Sequence, residues 1–229
     1  MSRKQILIGL GAAVVIALGV AAYYVLSPSG TTAAAGTGPN YTITPRDRTQ
    51  GNPKAKVVLI EYAAPSCPVC AAFNAQTFDQ LKKDYIDTGK VFYVFRIFPL
   101  RPDDGAAEKI ARCLPEDKYF SFIDLLFRNQ PKWDVEYASE NAALQTPDGV
   151  RAGLITLGRI AGMSADEVNK CMTDTKEDDI INKVAAEGES RYNITGTPTF
   201  IVDGKPIGSG NLPYADVRKA LDNALAEKH

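Results

Sequence analysis

Cys67-Pro68-Val69-Cys70 follows the apolar run Val57-Val58-Leu59-Ile60 and opens a helical pattern that extends to Tyr85. This order predicts a buried strand that leads into a helix, with two cysteines at the junction. Pro68 suits the first helical position, because its φ angle is already helical and its missing N–H would lack a partner there. Cys67 is then at the helix N-terminus, where free N–H groups and the helix dipole stabilise a thiolate. The pattern indicates redox chemistry; half of a zinc site and a structural cysteine pair are the alternatives.

Glu61 is the only charged residue between Val57 and Ala64, and it precedes Cys67 by six residues. A strand can carry this position beneath the start of the helix. We therefore predict a buried carboxylate that takes or supplies the proton when the thiols become a disulfide. The alternative is a glutamate on an edge strand, exposed to solvent.

A second motif, Thr195-Gly196-Thr197-Pro198-Thr199-Phe200, precedes the apolar pair Ile201-Val202. A proline at this place marks the start of a strand, because it cannot donate a hydrogen bond in mid-sheet. The Cys-x-x-Cys motif, the acid six residues before it and the Gly-Thr-Pro-Thr-Phe loop together resemble the thioredoxin superfamily. The resemblance implies that the Thr197–Pro198 peptide bond is cis and that Pro198 faces the Cys67–Cys70 disulfide.

The remaining pattern predicts an α/β protein. The strands 57–63 and Val91–Ile97 flank the first helix in a βαβ unit, helices fill most of the segment from Asp103 to Arg191, and a strand pair and a helix end the chain. We expect a thioredoxin-like domain from segments 51–102 and 190–229, with a helical insertion at 103–189. The aromatic stripe in residues 116–129 is interpreted as core; an apolar substrate groove is the alternative.

This split thioredoxin fold, together with Phe98-Pro99-Leu100 after the second strand, resembles the DsbA family of exported thiol–disulfide oxidoreductases. The resemblance extends from about Asn52 to Glu227. It implies that the protein exchanges disulfides with exported proteins that contain cysteines.

The N-terminal segment 1–26 contains Arg3 and Lys4 followed by an uncharged run from Ile6 to Leu26. At about 1.5 Å per residue this run forms a helix of about 31 Å, which matches a hydrocarbon core of about 30 Å. We predict a transmembrane signal anchor that holds a periplasmic domain at the inner membrane; a cleaved signal peptide and a soluble product are the alternative. Residues 27–50 are predicted to be a flexible linker, with a short first strand at 42–44.

Cys113 and Cys171 both lie in the predicted insertion. Four cysteines in an exported domain suggest two pairs, and if Cys67 pairs with Cys70, these two remain for each other. Two buried free thiols and a four-cysteine zinc site are the alternatives. The chain also resembles some DsbA-like proteins of α-proteobacteria, which carry a second disulfide in the helical domain. Closing a loop of about 58 residues would stabilise the fold by about 4 kcal/mol.

The charges are nearly balanced, with 26 Lys and Arg against 27 Asp and Glu, which disfavours nucleic-acid binding. The only histidine is the terminal His229, and there is no glycine-rich phosphate loop. We therefore expect neither a metal ion nor a cofactor in the site.

We expect a protein disulfide oxidase in which a substrate thiolate attacks Cys67. Pro68 and Val69 contact the substrate, and the Thr197 backbone pairs with it as an added strand. By resemblance, a quinone-linked membrane partner reoxidises the cysteines. A reductase or isomerase of the same fold is one alternative, and an exported copper- or zinc-binding chaperone is another.

Val69 stands where the best-known DsbA pattern has a histidine. A histidine would donate a hydrogen bond to the Cys67 thiolate, and valine cannot. We therefore expect a Cys67 pKa between the DsbA and thioredoxin extremes, roughly 4–7.

Overall fold

The centre of the fold is a five-stranded sheet with the strand order β1-β3-β2-β4-β5. The computed structural model describes residues 41–136 and 145–228. Strands β2 and β3 are parallel, and the other three pairs are antiparallel. The βαβ unit predicted from the sequence is therefore confirmed. The strands are β1 (Arg48–Gln50), β2 (Val57–Ala63), β3 (Val91–Ile97), β4 (Thr199–Val202) and β5 (Lys205–Ser209).

Seven helices longer than one turn pack around this sheet within the described ranges. Helix α1 covers residues 68–86 and alternates between α-helical (Pro68–Phe73, Asp79–Leu81) and π-helical (Asn74–Phe78, Lys82–Ile86) geometry. The others are α2 (Pro102–Cys113), α3 (Tyr119–Arg128), α4 (Pro147–Ile160), α5 (Ala165–Thr173), α6 (Asp178–Tyr192) and α7 (Tyr214–Ala226). Helices α2 to α5 form the predicted helical insertion between β3 and α6.

Strand β2 is buried on both faces, and its alternation separates two cores. Val57, Leu59 and Ala63 belong to the cluster that contains Cys67 and Cys70. The residues between them, Val58, Ile60 and Tyr62, belong to the cluster on the opposite face. Because successive side chains of a strand point to opposite faces, Glu61 shares the face of the cysteines. The sheet therefore carries a carboxyl group into the core beneath the start of α1.

The aromatic and aliphatic side chains buried in the helical insertion belong to the same core as the cysteine face of the sheet. The stripe in residues 116–129 is buried, which confirms its interpretation as core: Tyr119, Phe122, Ile123, Leu126 and Phe127. A disulfide between Cys113 and Cys171, with an S–S distance of 2.04 Å, joins the end of α2 to α5. The insertion is thus closed on itself by a covalent link that spans 58 residues.

Two boundaries differ from the predictions. The first strand is Arg48–Gln50 rather than 42–44, so the end of the predicted linker 27–50 is part of the sheet. The reason is a buried ion pair: Arg96 of β3 binds Asp47 at 2.9 Å and also the Thr42 carbonyl, which holds residues 42–47 against the protein. Sequence composition does not show this partner, because Arg96 lies far along the chain.

The predicted insertion boundary at residue 189 falls inside α6. This helix packs on the sheet through Gly188, where an added Cβ would lie 2.9 Å from the Tyr62 ring. Helix α6 therefore belongs with the thioredoxin-like part. The predicted transmembrane segment 1–26 and the linker up to residue 40 lie outside the described residues. Within the described ranges, no helix has the length and apolar character needed to cross a membrane.

Gly153 of α4 provides a test of how closely the insertion is packed. An added Cβ there would press on the Lys132 carbonyl oxygen and lie 2.8 Å from the Trp133 Cα, and backbone cannot move aside cheaply. We expect Gly153→Ala to lower the free energy of unfolding by about 1–3 kcal/mol, measured by urea denaturation. Gly105→Ala is the matched control, because Gly105 is also helical and has nothing within 4 Å of an added Cβ. The control should gain about 0.5–1 kcal/mol, and an equal effect of both changes would contradict the packing.

Candidate active site

Cys67 occupies the N-cap position of α1. Its backbone is extended, with φ −73° and ψ 117°, and Pro68 follows as the first helical residue. The Cys70 backbone N–H donates a hydrogen bond to Cys67 Sγ at 3.2 Å. The placement of a cysteine at the helix N-terminus is thereby confirmed. Cys67 and Cys70 are buried as free thiols, while Val69 between them is 37% exposed.

The pKa values of the two cysteines are shifted in opposite directions. The pKa of Cys67 is lowered to about 6, mainly by hydrogen bonding from the Cys70 thiol, against the opposing effect of burial. The Thr197 side chain and the backbone N–H groups of Val69 and Cys70 lower the Cys67 pKa further. Burial raises the pKa of the Cys70 thiol well above its ordinary value. At neutral pH, reduced Cys67 is therefore mostly a thiolate and Cys70 a thiol. The Cys67 pKa of about 6 lies within the range expected from the sequence.

The loop before β4 closes over Cys67. The Thr197–Pro198 peptide bond is cis, as the resemblance implied. As a thiol, Cys67 Sγ donates to the Thr197 carbonyl oxygen at 3.4 Å. The Thr197 hydroxyl oxygen is buried and has no hydrogen-bond partner among the described residues, so it is free to donate to the thiolate. The Phe200 ring of β4, which follows this loop, packs against the Phe73 ring of α1 with the centroids 4.4 Å apart.

Glu61 lies beneath the cysteines and is only 3% exposed. The Tyr93 hydroxyl of β3 donates to Glu61 Oε2 at 2.7 Å. Burial raises the pKa of Glu61 to about 7, the Tyr93 hydrogen bond lowers it, and the charge of Cys67 raises it. Glu61 can therefore hold or release a proton near neutral pH.

A cavity of about 200 Å³ leads towards Glu61 from the surface. Its wall includes the buried Glu61 and Tyr93 and also the exposed Arg128. Gln50 lines the same cavity, and its Oε1 atom is buried without a hydrogen-bond partner among the described residues. A polar cavity with an unpaired acceptor is suited to water. The cavity therefore offers a path for protons between Glu61 and solvent.

A second depression, of about 430 Å³, adjoins the cysteine pair. It lies between Val69, the loop that contains Thr197 and the strand β5, and no charged residue lines it. Its lining of short polar, glycine and apolar residues suits an uncharged stretch of polypeptide. Among residues 41–136 and 145–228, no group of three or more His, Cys, Asp and Glu side chains is arranged to hold a metal ion.

The structure brings together Cys67, Cys70, Glu61, Thr197 and Pro198, and it separates Cys113 and Cys171 into the insertion. Three groups at the site have no signal in the sequence. Tyr93 meets Glu61 only through the register of β2 against β3. Asp104 accepts hydrogen bonds from the Ser66 N–H and hydroxyl, and Gln130 donates to the Cys67 carbonyl oxygen.

The chain is similar to known proteins over most of its length. The sequence model of the thioredoxin family matches residues 43–223. The chain belongs to the thioredoxin family. A Rickettsia bellii protein named as a protein-disulfide oxidoreductase is 30% identical over 188 residues, which cover 82% of this chain and 68% of that protein. The chain spans less than two thirds of two other Rickettsia relatives, 63% of one and 64% of the other.

Solved structures place the chain among the DsbA-like members of this family. The crystal structure of Wolbachia pipientis alpha-DsbA1 matches with a TM-score of 0.70 and 27% identity, and covers 82% of this chain and 96% of that one. The disulfide bond formation protein D of Bacillus subtilis is 25% identical over 192 residues, which are 78% of this chain and 77% of that protein. This DsbA-like thiol–disulfide oxidoreductase thus has a thioredoxin fold with a helical insertion.

The Glu61 environment predicts a pH-dependent stability. The folded-state pKa of about 7 exceeds the ordinary 4.5, so the folded state binds this proton more tightly than the unfolded chain. The resulting stabilisation is present below pH 4.5 and is lost as the pH rises through 7. The test uses the oxidised protein, because its cysteines do not titrate. In that form, Glu61→Gln should remove the loss of stability with rising pH, while the glutamine side-chain oxygen can still accept the Tyr93 hydrogen bond.

We therefore expect the free energy of unfolding of the variant to rise relative to that of the wild type by roughly 2–3 kcal/mol as the pH is raised from 5 to 8. Urea denaturation at a series of pH values measures this difference. Asp124→Asn, at the mouth of the same cavity, is the control, because that side chain is only partly buried. A wild-type-minus-variant difference that stays constant with pH would show that Glu61 is not held with a raised pKa.

Proposed function

We propose that this DsbA-like protein is an exported disulfide oxidase that introduces disulfides into reduced proteins. The observation that carries the proposal is the pairing of an acidic thiolate at Cys67 with a buried thiol at Cys70. A stabilised thiolate favours the reduced form of the pair, and an enzyme whose reduced form is favoured passes its disulfide to others. Each unit by which the Cys67 pKa falls corresponds to about 1.4 kcal/mol, or about 30 mV of reduction potential.

The reaction proceeds in two exchanges. A substrate thiolate attacks Cys67 Sγ, the Cys67–Cys70 bond breaks, and Cys70 leaves as a thiolate that takes up a proton. A second substrate thiolate attacks the substrate sulfur of the mixed disulfide, and Cys67 leaves as the stabilised thiolate. The substrate loses two electrons to form its disulfide, and the cysteine pair of the enzyme gains them.

Glu61 is the group best placed to supply the proton to Cys70. Its raised pKa keeps part of the population protonated at neutral pH, and its negative charge contributes to the raised pKa of Cys70. A Glu61 that gives its proton to Cys70 recovers one through the cavity lined by Tyr93 and Arg128. When the enzyme is reoxidised, the same route carries the proton outward.

The substrate lies along the uncharged depression beside Val69. Its extended backbone pairs with the backbone at Thr197, in the manner of an added strand, while Pro198 packs over the reacting sulfurs. Val69 at the start of α1 lines the other side of the depression, and the neighbouring Pro68 is exposed and can also contact the substrate. Because none of the lining residues is charged, substrates are selected by an accessible cysteine in a flexible, uncharged segment.

We also propose that the protein acts on the outer side of the inner membrane, held by segment 1–26, and that a quinone-linked membrane partner reoxidises it. The uncharged run in that segment supports the anchor. The Cys113–Cys171 disulfide supports an oxidising compartment, where such bonds persist.

Substituting each redox cysteine tests the direction and the roles. We expect Cys67→Ser to abolish oxidation of a reduced peptide, and Cys70→Ser to accumulate mixed disulfides on Cys67. Alkylation of thiols in cells should find the wild-type pair mostly oxidised. A mostly reduced pair would favour a reductase or isomerase, bound copper or zinc would favour a metal chaperone, and trapping on Cys70 would overturn the assignment of the nucleophile.

Val69→His tests whether the thiolate environment sets the oxidising power. The imidazole adds a donor and, when protonated, a positive charge beside Cys67, which both favour the thiolate. We expect a lower Cys67 pKa, a reduction potential raised by tens of millivolts and faster peptide oxidation. Ile160→His, at an exposed position of α4, is the control and should leave all three unchanged. A Cys67 pKa that stays constant or rises in Val69→His contradicts the geometry.

A further inference from the structure

The turn of residues 64–67, here called the approach turn, leads from β2 to the nucleophile and is held mainly from outside. Within the turn, the Cys67 N–H donates to the Ala64 carbonyl oxygen at 3.0 Å. The Ser66 N–H and hydroxyl both donate to Asp104 of α2, at 2.8 and 2.9 Å. The Pro65 and Cys67 carbonyl oxygens both accept from Gln130. The helical insertion thus supplies most of the hydrogen-bond partners of this turn.

Gln130 makes its two contacts with one amide nitrogen. Nε2 lies 2.8 Å from the Pro65 carbonyl oxygen and 2.9 Å from the Cys67 carbonyl oxygen. Both partners are acceptors, so the orientation of the amide is fixed and both of its hydrogens are used. The side chain is only 3% exposed, so no solvent replaces it. Gln130 therefore bridges the Pro65 and Cys67 carbonyl groups of the approach turn.

The support behind Gln130 is rigid. Its own carbonyl oxygen accepts from the backbone N–H groups of Trp133 and Asp134, at 3.1 and 2.8 Å. The Trp133 indole donates to the Leu126 carbonyl oxygen at 3.0 Å. Gly153 of α4 packs so closely on this segment that no Cβ fits between them. Gln130, Trp133 and Asp134 are all buried, so the amide is held by a turn whose inner side chains are packed, although Pro131 and Lys132 are exposed.

We propose that Gln130 is a positioning residue that fixes the backbone of Cys67, so that its sulfur meets the Cys70 N–H and the Thr197 loop. The inference rests on the proposed role of Cys67 as the nucleophile. The Cys67 carbonyl also accepts from the Ala71 N–H at 3.1 Å, so its direction determines how the first turn of α1 begins. Fixing that carbonyl fixes the ψ angle of Cys67 and with it the 3.2 Å contact between Cys70 N and Cys67 Sγ.

Asp104 does not have the same specificity for the nucleophile. Its carboxylate also accepts from the backbone N–H groups of Leu100 and Arg101, at 3.0 Å each, and thereby caps α2. A change at Asp104 would affect that helix as well as the turn. The described side-chain hydrogen bonds of Gln130 go only to the approach turn, so a change there reports on Cys67.

Gln130→Met tests the proposal, because methionine keeps the shape and removes both donors. Without the two Gln130 N–H donors, the Cys67 backbone loses its fixed direction, and the Cys67 thiolate then loses its hydrogen bond from the Cys70 N–H. In the full-length reduced protein, thiolate absorbance against pH should show the Cys67 pKa rising from about 6 by about one unit, a ten-fold fall in the ratio of thiolate to thiol at fixed pH. The equilibrium with glutathione should shift in parallel, towards a less oxidising enzyme.

Val168→Ala is the matched control for loosening of the insertion. Val168 is fully buried in α5 and packs on Gly158 of α4, away from the approach turn. We expect this variant to unfold at lower urea concentration with an unchanged Cys67 pKa. An equal rise of the pKa in Val168→Ala would overturn the proposal, since the effect would then be general destabilisation.

Gln130→Asn decides the question if Gln130→Met does not fold. Asparagine keeps the amide but is one methylene shorter, so it cannot reach both carbonyl oxygens at once, and the pKa should rise in the same direction. An unchanged pKa in a folded Gln130 variant overturns the positioning role. A wild-type Cys67 without a lowered pKa would instead contradict the proposed function itself, so the two failures are distinguishable.

Discussion

The hydrogen bond from the Cys70 backbone N–H to Cys67 Sγ is the contact on which the site depends. It exists because Cys67 occupies the N-cap of α1, where the first N–H groups of a helix have no partner within the helix. A sulfur at this point takes the place of an ordinary capping oxygen. The pKa of Cys67 is lowered mainly by the hydrogen bond from the Cys70 thiol, and this backbone contact lowers it further. The start of the helix therefore contributes to the chemistry of the thiolate.

Burial raises the pKa of every titratable group around this contact, but the net pKa shifts differ in direction. Cys67 is buried yet acidic, because several donors converge on it. Cys70 and Glu61 are buried with few donors, and burial raises the pKa of both. The result is a thiolate beside a thiol that keeps its proton and a carboxyl group that is partly protonated near pH 7. In the proposed exchange, Glu61 supplies the proton that Cys70 takes up, and the cavity that Glu61 lines extends to the exposed Arg128.

The helical insertion does more than cover the sheet. It holds the approach turn through Asp104 and Gln130, and its aromatic core lies behind both. The disulfide between Cys113 and Cys171 ties α2, which carries Asp104, to α5. A redox site at the end of a strand would otherwise depend on a loop with few partners. In this DsbA-like protein, the insertion supplies hydrogen-bond partners to the turn that carries Cys67, which is the basis of the proposed positioning role of Gln130.

The sequence by itself determined the features that depend on neighbours along the chain. A strand, a proline and two cysteines at helical spacing are sufficient to place Cys67 at a helix N-terminus. The position of Glu61 as the only charged residue in the apolar run of β2 predicts a buried carboxylate. Tertiary structure decided the contacts between distant residues. Tyr93 reaches Glu61 across 32 residues through strand register, Gln130 reaches Cys67 across 63, and Asp47 holds Arg96 across 49. Such partners are selected by packing, because a polar side chain in a buried position must find a donor or acceptor wherever the fold brings one, and no local pattern records which one that is.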